Sequence, residues 1–81
     1  MKIAISGFPS ETTEDEIREA LEKYGVTVKD VSIERSNDPQ RNLATVGVDL
    51  DESGARVLAK KIHGSFYKGQ RLRAETYLLF K

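Results

Sequence analysis

Residues 43–50 read LATVGVDL and carry the clearest two-residue alternation in the chain. The even positions are all apolar: Ala44, Val46, Val48 and Leu50. The odd positions are mixed: Leu43, Thr45, Gly47 and Asp49. Alternate side chains of a strand point to opposite faces, so this pattern predicts a strand with one buried face. The side chains at the odd positions are then free to meet a ligand.

Three other segments also carry strand signals. Ile3 and Ile5 alternate with small residues before a glycine and a proline break the pattern. A β-branched segment predicts a second strand over about residues 29–35. Leu72 and Ala74 alternate with charged residues and predict a fourth strand.

Two helices separate these strands. Thr13 and Glu16 have the spacing of a capping box, which predicts a helix start, and Gly25 can end that helix. Its apolar stripe is Ile17, Ala20, Leu21 and Tyr24. Asp51 can cap a second helix that stops at Gly64. The inward stripe of that helix is Ala55, Leu58, Ala59 and Ile62.

The order strand, helix, strand, strand, helix, strand predicts a two-layer α+β sandwich. Right-handed crossovers place both helices on the same face of a four-stranded sheet and leave the other face open to water. With 81 residues, the chain has room for one hydrophobic core. We therefore expect one domain spanning residues 1–81.

Composition narrows the functional classes. The chain has no cysteine, and no apolar run approaches the roughly 18 residues that a membrane-spanning helix needs. We expect no membrane association and an intracellular location, cytoplasmic or nuclear. The 13 basic and 13 acidic residues cancel, but unevenly: the balance is −4 over residues 1–40 and +4 over residues 41–81.

Several of these segments match one family. Residues 13–25 resemble the first helix of the RNA recognition motif (RRM) family. Ile62, His63 and Gly64, followed by Gly69, Arg71 and Leu72, resemble the end of its second helix and its fourth strand. The resemblance covers essentially the whole chain. It implies a ferredoxin-like βαββαβ fold with sheet order 4-1-3-2, and RNA as the ligand.

The resemblance is poor in the two motifs that carry the family's binding chemistry. RRM domains stack unpaired bases on exposed aromatics of the first and third strands. Ala4, Leu43 and Thr45 occupy those positions here. Each base stacked on an aromatic contributes about 1–3 kcal/mol, so the chain resembles a divergent RRM that has lost most of this affinity.

We expect weak or atypical binding of single-stranded RNA through the open sheet. The candidate RNA-binding residues are Arg41, Leu43, Thr45, Ala4, Arg73, Lys2 and Tyr77. Leu43 would supply apolar contact, Thr45 hydrogen bonds, and the arginines phosphate contacts or base stacking. The alternative is an RRM-like protein-protein interaction module with little or no RNA binding.

The sequence offers no candidate for catalysis, and we expect no enzyme activity, metal or cofactor. It contains no glycine-rich phosphate loop, no nucleophile elbow and no paired-carboxylate spacing. His63 is the only histidine, so a structural role is expected for it. We expect a monomer. The apolar tail at residues 77–80 either folds back over the sheet or continues into further sequence.

Overall fold

The computed structural model describes residues 1–38 and 41–77. The helices and strands, in chain order, are β1 (Lys2–Ser6), α1 (Glu14–Glu22), β2 (Val28–Glu34), β3 (Leu43–Val48), α2 (Glu52–Ile62), β4 (Phe66–Tyr67), β5 (Gln70–Arg71) and β6 (Arg73–Tyr77). Four strands form the main sheet in the order β2-β3-β1-β6, and every neighbouring pair is antiparallel. Since β6 is the predicted fourth strand, this confirms the order 4-1-3-2.

The two faces of the sheet differ as the alternation in β3 predicts. Ala44, Val46 and Val48 are at most 2% exposed, whereas Leu43 and Thr45 are partly exposed. Both helices cover the buried face. Their buried residues are Ile17 and Leu21 in α1, and Ala55, Leu58, Ala59 and Ile62 in α2. One core therefore lies between the helices and the sheet.

Helix α1 begins at the predicted capping box. The Glu16 amide donates to Thr13 Oγ1 at 3.2 Å, and the Thr13 amide donates to Glu16 Oε1 at 3.0 Å. In α2, the Gly54 amide donates to Asp51 Oδ1 at 2.8 Å. Both N-caps were identifiable from the sequence because each depends on residues three apart.

The bounds of β2 and β3 differ slightly from prediction. The pairing of β2 with β3 slips between Val28 and Asp30, so Lys29 is an extra residue in that strand. A bulge of this kind reverses the alternation, which explains why Val28 is buried on the same side as Val31 and Ile33. The prediction that β3 extends to residue 50 was wrong, because the strand ends at Val48.

The segment before β6 also differs. Residues 66–71 form a separate two-stranded hairpin, β4 and β5, whose strands are too short to show a period. Leu72 pairs with the segment that follows α2 instead of the main sheet: its amide donates to the Ser65 carbonyl and its carbonyl accepts from the Gly64 amide, both at 2.8 Å. Tyr77 is the last residue of β6, so the predicted tail begins within the strand. Residues 78–80 lie outside the described part of the chain.

Candidate functional site

The sheet face opposite the helices is built from three rows of paired residues, which we call the open sheet face. The first row is Glu34, Leu43, Ser6 and Arg73. The second row is Ser32, Thr45, Ala4 and Glu75. The third row is Asp30, Gly47, Lys2 and Tyr77. The order of the strands thus brings together residues as far apart in the chain as Lys2 and Tyr77, which are 75 positions apart.

Three of the predicted RNA-binding residues line one shallow depression on this face. Ala4, Leu43 and Arg73 border it together with Ser6 and Glu75, and its volume is about 460 Å³. Its apolar floor comes from Ala4 and Leu43, and its cation from Arg73. Such a surface can give one base apolar contact while a guanidinium meets a phosphate.

The other predicted residues lie around this depression. Thr45 pairs directly with Ala4, and Lys2 lies one row further along β1. Tyr77 pairs with Lys2 through the backbone, and its side chain lies outside what the structure describes. Arg41 is exposed in the loop before β3, where its Nε lies 3.8 Å from Asp38 Oδ2. Arg41 is therefore beyond the rows of paired residues.

Sequence reasoning overlooked three acidic side chains on the open sheet face. Asp30 and Glu34 come from β2, and Glu75 comes from β6. The signal was present, because these carboxylates occupy the polar positions that alternate with Val31 and Ile33 or with Ala74.

These carboxylates outnumber the basic side chains on the open sheet face. Lys2 and Arg73 are its only cations among the described residues, against three acids. The Asp30 carboxylate also lies over Gly47, where an added Cβ would come within 2.8 Å of Asp30 Oδ1. A phosphate that approaches the β2 side of the sheet therefore meets negative charge, whereas the Arg73 side is more favourable.

Among the side chains that the structure describes, no aromatic ring lies on the open sheet face. Phe8 is fully buried, and Tyr24, Phe66 and Tyr67 lie on the helix side. This agrees with the expectation that the stacking platforms are missing. The face can provide apolar contact, hydroxyl hydrogen bonds and an arginine, but no flat aromatic surface for a base.

His63 borders the depression from the edge of the sheet. Its Nδ1 accepts a hydrogen bond from the Ala74 amide at 3.2 Å. Ala74 is in β6, the last strand of the main sheet, so the imidazole satisfies an outward-facing amide that has no neighbouring strand. This contact supports the structural role expected for the histidine.

The described ranges, 1–38 and 41–77, contain no group of three or more His, Asp or Glu residues that could hold a metal ion. Within the same ranges, no helix combines the length and apolar character needed to cross a membrane.

The solved structures that resemble this fold include several RNA-binding domains. The chain has a TM-score of 0.77 to the RNA binding protein PG1, at 19% identity, covering 100% of this chain and 98% of that one. The third RRM of Pes4 gives a TM-score of 0.81 at 19% identity, with 99% and 94% covered. The first three RNA binding domains of the yeast splicing factor Prp24 give 0.80 at 20% identity, covering 96% of this chain and 33% of that one. At these identities, the comparisons show the fold.

A complex of two RRM domains is also similar, with a TM-score of 0.71 at 15% identity and 99% and 90% of the chains covered. No curated protein sequence matches the chain. The family model for the RNA recognition motif matches residues 3–73, which is most of the chain and includes both helices, nearly all of β1, and the whole of β2, β3, β4 and β5. The chain belongs to the RNA recognition motif family, whose members generally bind RNA.

Proposed function

We propose that this domain binds single-stranded RNA weakly, through the open sheet face. The observation that carries the proposal is the depression in which Ala4, Leu43 and Arg73 meet. Members of the family generally bind RNA, and this depression includes two of the positions at which RRM domains hold bases. Leu43 contacts a base, Thr45 hydrogen-bonds to it, and Arg73 neutralises a phosphate.

The proposed binding is weak for two physical reasons. Each missing aromatic platform removes about 1–3 kcal/mol per base. In addition, Asp30, Glu34 and Glu75 repel phosphates from a face that carries only two cations among the described residues. Few phosphates are neutralised, so the affinity should depend only shallowly on salt, with a slope of roughly −0.7 per phosphate contacted.

The test is a titration of isotopically labelled domain with a pool of short single-stranded RNA, followed by NMR. We expect the amides of Ala4, Leu43 and Thr45 to shift. Arg73→Ala should weaken binding, and Glu75→Gln should strengthen it. Lys61→Ala is the matched control, since Lys61 is an exposed cation on α2 that does not line the depression. Unmoved sheet amides at millimolar RNA would rule the proposal out.

The alternative is a protein-interaction module that binds little or no RNA. The excess of acidic residues on the open sheet face favours this alternative, as does the location of the exposed aromatics Tyr24 and Phe66 away from that face. Structural neighbours include a complex of two RRM domains. A pull-down with and without nuclease separates the two functions, because protein partners held directly persist after the RNA is destroyed.

A further inference from the structure

The helix side of the domain contains an apolar groove near the C-terminal end of α1. Its floor consists of buried core side chains: Ile5, Ile17, Leu21, Ile62 and Leu72. Its walls come from α1 and from the β4–β5 hairpin. We call this site, with its walls Ala20, Lys23, Tyr24, Ser65, Phe66 and Tyr67, the hairpin groove.

Two large aromatic side chains are exposed at this groove. Tyr24 is 44% exposed and Phe66 is 67% exposed. Exposed aromatics beside a buried apolar floor are typical of binding hot spots, where a few side chains contribute most of the binding energy. Val57 on α2 is also exposed, but it does not line the groove, so it provides a comparison residue.

Contacts across the chain hold the hairpin wall in place. Lys68 Nζ donates to Glu16 Oε2 of α1 at 2.6 Å and lies 5.4 Å from the centre of the Tyr67 ring. The Arg71 guanidinium lies 5.2 Å from the centre of the Phe66 ring. The groove is therefore formed before any partner arrives, which lowers the entropic cost of binding.

The dimensions of the groove limit its occupant. Its volume is about 240 Å³, below the roughly 300–1,000 Å³ of pockets that enclose a drug-sized molecule. One bulky apolar side chain fits such a volume better than a cofactor does. The occupant is accordingly a side chain presented by another polypeptide.

Charge then specifies what surrounds that side chain. Lys23 lines the groove and Arg71 covers the Phe66 ring, and neither has an ion-pair partner within residues 1–38 and 41–77. The third cation, Lys68, is already paired with Glu16. The unpaired cations favour a partner with carboxylates on either side of its apolar anchor.

We propose that the hairpin groove binds a protein segment in which one bulky apolar side chain is flanked by Asp or Glu residues. The apolar side chain fills the space between Tyr24 and Phe66, and the carboxylates meet Lys23 and Arg71. The inference rests on the protein-binding alternative above, and because the groove is on the helix side, it leaves the open sheet face available for RNA.

The test uses three capped synthetic peptides, followed by calorimetry and NMR of the labelled domain. The first is Gly-Asp-Glu-Trp-Glu-Asp-Gly, the second replaces Trp by Ala, and the third replaces every acid by Lys. We expect only the first peptide to bind and to shift the amides of Ala20, Tyr24 and Phe66, while Leu43 and Thr45 stay unchanged.

Variants of the domain then assign the binding energy. Phe66→Ala should weaken binding of the first peptide by about tenfold or more. Lys23→Glu should also weaken it, and should improve binding of the Lys peptide. Val57→Ala and Lys60→Glu are matched controls that remove an exposed apolar and an exposed basic side chain outside the groove. Both controls should bind as the unmodified domain does.

Several results would overturn the proposal. These are equal binding of the Trp and Ala peptides, equal binding of the acidic and basic peptides, or no response at millimolar peptide. Groove amides that shift with the concentration of the domain alone would identify a second copy of this chain as the occupant. If Phe66→Ala lowered the melting temperature sharply, peptide binding by the Lys23→Glu variant would still test the proposal, because Lys23 is an exposed side chain.

The experiments distinguish failure of the groove proposal from failure of the protein-binding function on which it rests. Nuclease-resistant partners that bind Phe66→Ala and Lys23→Glu as well as the unmodified domain would leave that function standing and exclude the groove. Loss of all partners after nuclease treatment would instead remove the function on which the groove inference rests.

Discussion

Lys68 and Glu16 are 52 residues apart in the chain, and their side chains form an ion pair of 2.6 Å that joins the β4–β5 hairpin to α1. Glu16 also accepts from the Thr13 amide within the capping box. One carboxylate therefore has two tasks: it completes the start of a helix with one oxygen and holds a distant hairpin with the other.

The pair gives the domain a pH-dependent stability. The hydrogen bond from Lys68, followed by that from the Thr13 amide, lowers the pKa of Glu16 below its ordinary value of 4.5. The stabilisation is therefore complete above pH 4.5 and is lost as the pH falls through the lower pKa of the folded state. Glu16→Gln should lower the melting temperature at neutral pH, and the deficit should vanish in acid.

Melting curves of both proteins across the acidic range check this prediction. Glutamine can still accept from the Thr13 amide, so the change tests the charge and spares the helix cap. Glu19→Gln is the control, since Glu19 is an exposed acid of the same helix with no ion pair among the described residues. An equal deficit at every pH would contradict the assignment.

Substitution of Gly7 and Gly25 by alanine separates two costs of replacing a glycine: backbone strain at positive φ, and a clash between the added Cβ and neighbouring atoms. Both glycines have positive φ, +92° for Gly7 and +85° for Gly25. A Cβ added at Gly7 would lie 2.5 Å from the Arg71 carbonyl oxygen, whereas a Cβ added at Gly25 would have no atom within 4 Å. Gly25→Ala should cost about 1–2 kcal/mol from strain alone. Gly7→Ala should cost ~3 kcal/mol or more, because backbone must also move. Urea denaturation of both variants gives the comparison, and equal costs would refute it.

Phe8 and Phe66 have opposite environments. Phe8 is 0% exposed in the core and Phe66 is 67% exposed. Phe8→Ala should lower the free energy of unfolding by about 3–5 kcal/mol through lost burial and a cavity. Phe66→Ala should change it by at most about 1 kcal/mol, the value of its contact with Arg71. Chemical denaturation measures both, and a large loss for Phe66→Ala would mean that the hairpin supports the core.

Aromatic platforms can be restored to the open sheet face. Ala4 and Thr45 are paired across β1 and β3, and Leu43 is paired with Ser6 in the next row. Ala4→Tyr, Leu43→Phe and Thr45→Phe should therefore place neighbouring rings on one surface. Each platform that stacks a base should tighten RNA binding roughly five- to hundredfold.

Fluorescence anisotropy with the same pooled RNA measures this gain. The control introduces Val57→Phe on α2, which adds an exposed ring away from the sheet and should leave the affinity unchanged. If the three sheet variants also leave it unchanged, bases do not reach the open sheet face.

Local patterns were sufficient for most of the fold. The alternation around Val46 identified the buried face of β3, and Thr13 and Asp51 identified the helix starts, because a strand period and a helix cap involve residues only a few positions apart. The bulge at Lys29 was not predictable in the same way. The bulge is a property of the pairing of β2 with β3, and the sequence of β2 alone does not show it.

The candidate sites depended more on tertiary structure. From the sequence came the absence of aromatics at Ala4, Leu43 and Thr45, since each position follows from its own strand. Only the strand order placed Asp30, Glu34 and Glu75 on the same face as Arg73 and Lys2, and only the folded hairpin brought Phe66 into the same groove as Tyr24. Side-chain type is a local property, whereas the charge of a face and the shape of a groove are sums over residues that meet through long-range pairing.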